Sequence, residues 1–169
     1  MTILNRDMIM QELLNSIDPD AGPCLGLSRE KELAEIYTLG FKAPRQTGST
    51  YWLIEKLIED RNSIVILINS DFKEHFLADV EKYPKVIFDK CLKYGPSVER
   101  GILNGDKDNI VDRCFTAREF LNADLERHRY ATSVFFDGAS TIASKINLNA
   151  YYRKLAKEVK GYPVTWLIN

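Results

Sequence analysis

The run Ser63-Ile64-Val65-Ile66-Leu67-Ile68-Asn69-Ser70 constrains the fold of this chain more than any other stretch. Its apolar residues are continuous and mostly β-branched, whereas a half-exposed strand would alternate apolar with polar. Continuity of this kind marks a strand covered on both faces, as in a parallel sheet whose crossovers lay helices on each side. Two further runs have the same character: Ala131-Thr132-Ser133-Val134-Phe135-Phe136-Asp137-Gly138, which ends in an acid, and Val164-Thr165-Trp166-Leu167-Ile168.

Helix-type segments separate these runs. Leu53, Ile54, Leu57 and Ile58 form an apolar stripe one turn apart. Asp71 with Glu74 has the spacing of a capping box for a helix through Phe76, Leu77 and Val80, and Pro84 is expected to limit it. Thr116 with Glu119 is a second capping box, opening a helix expected to run to His128 with Phe120, Leu121 and Leu125 inward. Asn147 can cap a helix carrying Leu148, Tyr152, Leu155 and Val159, which Gly161-Tyr162-Pro163 stops. Between residues 85 and 113 the signals conflict. Val86-Ile87-Phe88 reads as a short strand or as the start of a helix through Cys91 and Leu92, Gly95-Pro96 as a break, and Asn104-Gly105-Asp106 as a tight turn.

Strands alternating with helices imply an α/β fold with a mostly parallel sheet flanked by helices on both faces, because parallel neighbours need crossover connections. Residues 1–39 read as an N-terminal helical segment packed on the core, and residues 40–169 as that core, in a single compact domain. Within the first segment, Ile3, Leu4, Met8, Leu13, Leu14 and Ile17 have mostly helical spacing, either a helix packed on its own domain or a docking arm. Ser28 can cap a second helix with Glu30 and Glu32 near its start, and Gly40 is expected to end it before an extended run from Phe41 to Ala43.

Composition removes several function classes. The formal charge of −1 over 169 residues gives no global attraction to nucleic acid or to an anionic membrane, so a nucleic-acid partner is unsupported. The longest aliphatic run is far short of the roughly 20 residues of a spanning helix. A cytoplasmic protein without membrane contact is expected. Cys24, Cys91 and Cys114 are odd in number and scattered, with only His75 and His128 as further soft ligands; buried free thiols are expected rather than a zinc site or disulfides.

Ligands of such sheets bind at the carboxyl ends of the strands. Two features fall there: the stretch Ala43-Pro44-Arg45-Gln46-Thr47-Gly48-Ser49-Thr50, which runs from a strand into a helix, and Asp137. Together they carry a resemblance. The first stretch resembles the Walker A motif of viral terminase large subunits and related helicase-type ATPases, and Ser133 to Asp137 resembles their Walker B strand. The order of elements over residues 40–169 is similar as well. Two positions depart from the pattern: Ser49 stands where the family has lysine, and Gly138 where it has the catalytic glutamate. The nuclease domain that follows in terminases has no room in this chain.

The resemblance implies a P-loop NTPase-like core with a degenerate site for ATP or another nucleoside triphosphate with Mg²⁺. Arg45, Gln46, Thr47, Gly48, Ser49 and Thr50 are the phosphate-binding candidates; Thr50 and Asp137 are the metal candidates; no catalytic residue is assigned. Backbone N–H groups at a helix start still cradle phosphate without the lysine, but the charge that stabilises the transition state is lost. Lys42 and Arg45 are the candidates to replace it. The expected function is nucleotide binding with weak or no hydrolysis, in a regulatory or accessory protein, viral in origin as the resemblance suggests and located in the host cytoplasm. The alternative is a pseudo-ATPase that binds no nucleotide and regulates or inhibits a protein partner.

Blander roles stand beside each of these. The loop can be a plain strand-to-helix turn capped by Thr47 or Ser49, and Asp137 a strand end bonding toward Ser140 or Thr141. Asp71 can be an N-cap, while Glu99, Asp106 and Asp112 have no assignable place near a site. Trp52 and Tyr152 are expected in the core rather than as base-stacking platforms, and Arg127-His128-Arg129 as a solvated basic spot.

Overall fold

The computed structural model describes residues 6–42, 49–94 and 110–169, and side chains for all of these except Arg6, Ser49 and residues 84–94. Its elements in chain order are α1 (Arg6–Asn15), α2 (Ala21–Leu25), α3 (Arg29–Glu35), β1 (Thr38–Phe41), α4 (Ser49–Glu59), β2 (Ser63–Leu67), α5 (Ser70–Tyr94) and β3 (Cys114–Thr116). Then come α6 (Ala117–Asn122), a 3-10 turn (Glu126–His128), β4 (Ser133–Asp137), α7 (Ala139–Lys145), α8 (Leu148–Glu158) and β5 (Val164–Ile168). The five strands form one sheet in the order β1-β5-β4-β2-β3, and every pair is parallel.

The winding follows from crossover handedness. From β1 through β2 to β3 the chain moves outward across the sheet, and α4 and α5 lie on one face, where Trp52, Leu53, Leu57, Phe76 and Val80 cluster with Val65, Phe135 and Trp166. After β3 the direction reverses. The return through β4 to β5 uses α6, α7 and α8 on the other face, where Phe120, Ile142, Tyr151 and Leu155 cluster with Ile64, Ile66, Val134 and Phe136. A right-handed crossover must change face when it changes direction, so one reversal suffices to cover both sides. All five residues of β2 are buried, which is why its sequence from Ile64 to Leu67 is continuously apolar.

The aromatic residues of this core are structural. Phe136 is fully buried with its ring edge-on to Tyr151 at 5.0 Å, and burial of such a side chain contributes about 3 kcal/mol. Tyr151 and Tyr152 satisfy their hydroxyls on Thr165 and Thr38, at 2.9 and 2.8 Å. Trp52 is 8% exposed, as is Tyr152, and its ring meets Phe41 and Phe135 edge-on. Helix α1 packs Met10, Leu13 and Leu14 against the cluster on the α4 and α5 face, and Asp7 reaches Lys56 at 2.8 Å and the indole N–H of Trp52 at 3.2 Å.

Both-face burial, the Thr116 capping box and the Asn147 cap are present as expected. Thr116 Oγ1 accepts from the Glu119 N–H at 3.2 Å while Glu119 Oε2 accepts from the Thr116 N–H at 2.8 Å. Asn147 Oδ1 accepts from the Ala150 N–H at 3.2 Å. Thr116→Ala removes half of the first box and is expected to cost about 1 kcal/mol, read as a lower urea midpoint at unchanged slope.

Several boundaries differ. Helix α3 ends at Glu35, and Gly40 lies inside β1 opposite Leu167 rather than ending a helix. Asn69, not Asp71, caps α5, accepting from the Phe72 N–H at 2.9 Å. That helix continues through Pro84 and the Val86-Ile87-Phe88 stretch to Tyr94. The expected helix to His128 ends at Asn122, where the Ala123 N–H bonds to Glu119 O, and Asp124 then turns the chain into the 3-10 segment. Strand β3 and helix α7 are additions to the sequence reading. Cys114 is buried but Cys24 is exposed, so the expectation of buried thiols fails there. The Gly95-Pro96 break and the Asn104-Gly105-Asp106 turn lie outside the described residues.

Candidate functional site

The carboxyl ends of β1, β5, β4 and β2 are level with one another. Phe41 is opposite Ile168, and Ile168 is opposite Asp137, with β5 as the strand between. On the other side of β4, Phe136 is opposite Ile66, so Asp137 also stands beside the end of β2. With neighbouring strands about 4.8 Å apart, Asp137 and the end of β1 are separated by about 10 Å across the sheet edge.

Crossover helices run antiparallel to the strands, so α4 begins at this same edge. Trp52, in its first turn, touches Phe41 on β1 and Phe135 on β4, at ring-centroid distances of 5.8 and 6.3 Å. The helix start therefore overlies the gap between the end of β1 and Asp137. The first N–H groups of a helix have no partner within it, and together with the positive end of the dipole they favour an anion there.

The phosphate-binding candidates are placed unevenly. Arg45, Gln46, Thr47 and Gly48 lie outside the described residues. Ser49 and Thr50 are the first two residues of α4, and Thr50 is partly exposed. Lys42 is exposed, directly after β1.

Asp137 is the most informative side chain of this edge. It is partly buried, and no side chain or backbone group among the described residues bonds to its carboxylate. Desolvation raises its pKa above the ordinary carboxylate value, with no cation among the described residues to oppose the shift. The simpler role of bonding toward Ser140 is taken by another residue: Asn169 Oδ1 accepts from both the N–H and the hydroxyl of Ser140, at 2.7 and 2.5 Å. The Asn169 N–H in turn donates to Phe41 O at 3.3 Å, joining β1 to the start of α7.

Gly138 has a conformational reason to be glycine. Its backbone is left-handed, at φ 81° and ψ 48°, and its N–H donates to Ile168 O at 3.0 Å. A Cβ there would lie 2.7 Å from Ile68 Cδ1. The position is thus shaped for a residue without a side chain.

The remaining acidic candidates stand apart. Asp71 is exposed in the first turn of α5, and Asp112 is exposed and faces Arg127 at 3.9 Å. Glu99 and Asp106 lie outside the described residues. Among the described residues no three His, Cys, Asp or Glu side chains converge as a metal cluster, and no helix is long and apolar enough to cross a membrane. Sequence reasoning missed Asn169, whose Ser140 partner is 29 residues away and gives no local signal. It had a usable signal for Gly138, since glycine directly after a buried strand often marks a left-handed turn. Comparison with protein-family models, with curated proteins and with solved structures finds no match to this chain.

Proposed function

We propose that this chain binds a nucleoside triphosphate with Mg²⁺ at the carboxyl edge of its sheet, with weak or no hydrolysis, as a regulatory or accessory protein. The observation that carries this reading is the level placement of Asp137 and the end of β1, with the start of α4 above the gap. Residues 45 to 50 supply the phosphate cradle through their N–H groups. The residues present suit the ion: Mg²⁺ is commonly held by one or two side-chain oxygens together with phosphate oxygens, and a partly buried carboxylate with no cation among the described residues gains from it. When bound, the ion would supply neutralisation of phosphate charge. Thr50 and Asp137 are its protein ligands in this proposal.

Weak turnover follows from two absences of chemistry in the motif. Ser49 brings no charge to the transferred phosphoryl group, and Gly138 brings no carboxylate to orient water. Titration with ATP and a non-hydrolysable analogue is expected to show saturable binding that requires Mg²⁺. Ser49→Lys should tighten it by about tenfold or more, the scale of one well-placed charge. Steady-state hydrolysis should stay at background in the native protein and in Arg45→Ala; turnover that Arg45→Ala abolishes would instead make the arginine a working substitute. No binding at millimolar nucleotide, with none gained by Ser49→Lys, rejects the reading in favour of an interaction module without nucleotide.

A further inference from the structure

A separate open cleft of about 1130 Å³ lies beyond β2, between α5, β3, α6 and the end of α7. It opens beside the point where the winding reverses. The connections leaving the neighbouring strands β2 and β3, α5 and α6, depart to opposite faces, and such divergence is where doubly wound sheets place ligands. Its walls are largely apolar, with Ile68, Phe115, Leu121 and Ile146 partly exposed to it.

The charges on its lining do not cancel. Glu119 is engaged: its Oε2 takes the Lys73 ammonium at 2.8 Å and the Thr116 N–H at 2.8 Å. Burial opposes ionisation of Glu119, but these two donors outweigh it and hold the carboxyl below the usual range. Asp112 faces Arg127. Arg118 on α6 and Lys145 on α7 are exposed and have no ion-pair or hydrogen-bond partner for their charged groups among the described residues. Apolar walls with two uncompensated cations match one ligand chemistry.

We infer that this cleft binds a small organic anion with an apolar body, its carboxylate or phosphate held by Arg118 and Lys145 and its body against Phe115, Leu121 and Ile146. The inference stands apart from nucleotide binding at the β1 edge. Ile68 connects the two places, since it lines the cleft and packs against Gly138.

The test is a titration of the full chain, followed by backbone amide NMR shifts, with three probes of one shape: 2-naphthoate, 2-naphthyl phosphate and neutral 2-naphthalenemethanol. Both anions are expected to bind saturably, with shifts at Lys73, Arg118, Leu121 and Ile146, and more tightly than the alcohol. The better of the two identifies the head group. Arg118→Glu with Lys145→Glu should weaken the anions about tenfold, the scale of two rim charges, and leave the alcohol unchanged. Lys157→Glu on α8, an exposed cation outside the cleft, should change nothing. Equal affinity for the alcohol, shifts that map elsewhere, no saturable binding at millimolar probe, or anion binding indifferent to the double reversal would each overturn the inference.

Discussion

Gly138→Glu, which reinstates the acid of the terminase-like pattern, is expected to destabilise the protein by about 2 kcal/mol and to leave hydrolysis at background. The larger part of the cost is conformational: at φ 81° a side-chain-bearing residue loses about 1–2 kcal/mol relative to glycine. The rest comes from Ile68, whose Cδ1 and Cγ1 would be 2.7 and 3.0 Å from the new Cβ and must move. A chemical-denaturation midpoint at unchanged slope measures the sum. Gly138→Asn separates the two contributions, because asparagine tolerates the left-handed region better and should lose less. Full stability in the glutamate variant, or hydrolysis gained by it, would show that the backbone at this position adapts and that the missing acid is a matter of chemistry alone.

Asp137→Asn is expected to act in opposite directions on stability and on metal-dependent binding. Desolvation raises the folded-state pKa of Asp137 above its unfolded value. A carboxyl shifted upward binds its proton more tightly in the folded protein, so the stability it contributes is present below the unfolded pKa of about 3.9 and is lost as pH rises through the folded value. Asparagine does not titrate. The variant should match the native protein near pH 3.5 and exceed it in melting temperature at pH 7, by about 2–4 °C for each kcal/mol relieved. Millimolar Mg²⁺ with nucleotide should reverse that order, since only the native carboxylate gains a cation, and the variant should lose most of the Mg²⁺ dependence of binding. A variant less stable than the native protein at pH 7 in the absence of metal would mean that Asp137 has a partner in the folded state after all.

The fold was legible where burial left a continuous trace in the chain. Ser63 to Leu67 and Val164 to Ile168 are almost wholly apolar, with Ser63 and Thr165 the exceptions, because helices cover both of their faces. Caps that close within three residues, Thr116 with Glu119 and Asn147 with Ala150, were legible for the same reason: their partners are local. Strand β3 was not, because three residues at a sheet edge carry too little pattern to separate from the cap that follows them. Pro84 misled because proline costs one N–H and a steric clash, which a 25-residue helix already anchored by Phe76, Val80 and Tyr83 outlasts. At the candidate site, Asp137 was legible as an acid at a strand end. Its lack of a partner among the described residues was not, since Asn169 takes Ser140 from a distant part of the chain.

The position of β5 between β1 and β4 has a consequence for the order in which the molecule is made. Among the described residues, β1 pairs with no strand other than β5, at a separation of 127 residues between Thr38 and Thr165. During synthesis the first strand therefore has no neighbour to bond with until the last one has emerged, while β2, β3 and β4 can already assemble. Contacts of such long range are slow to form, and the edge they leave open exposes unpaired backbone in the meantime. The Asp137 edge and the cleft beside β2 belong to different stages of this sequence: the cleft is complete once α7 is in place, whereas the end of β1 comes level with Asp137 only when the final strand slides in between them.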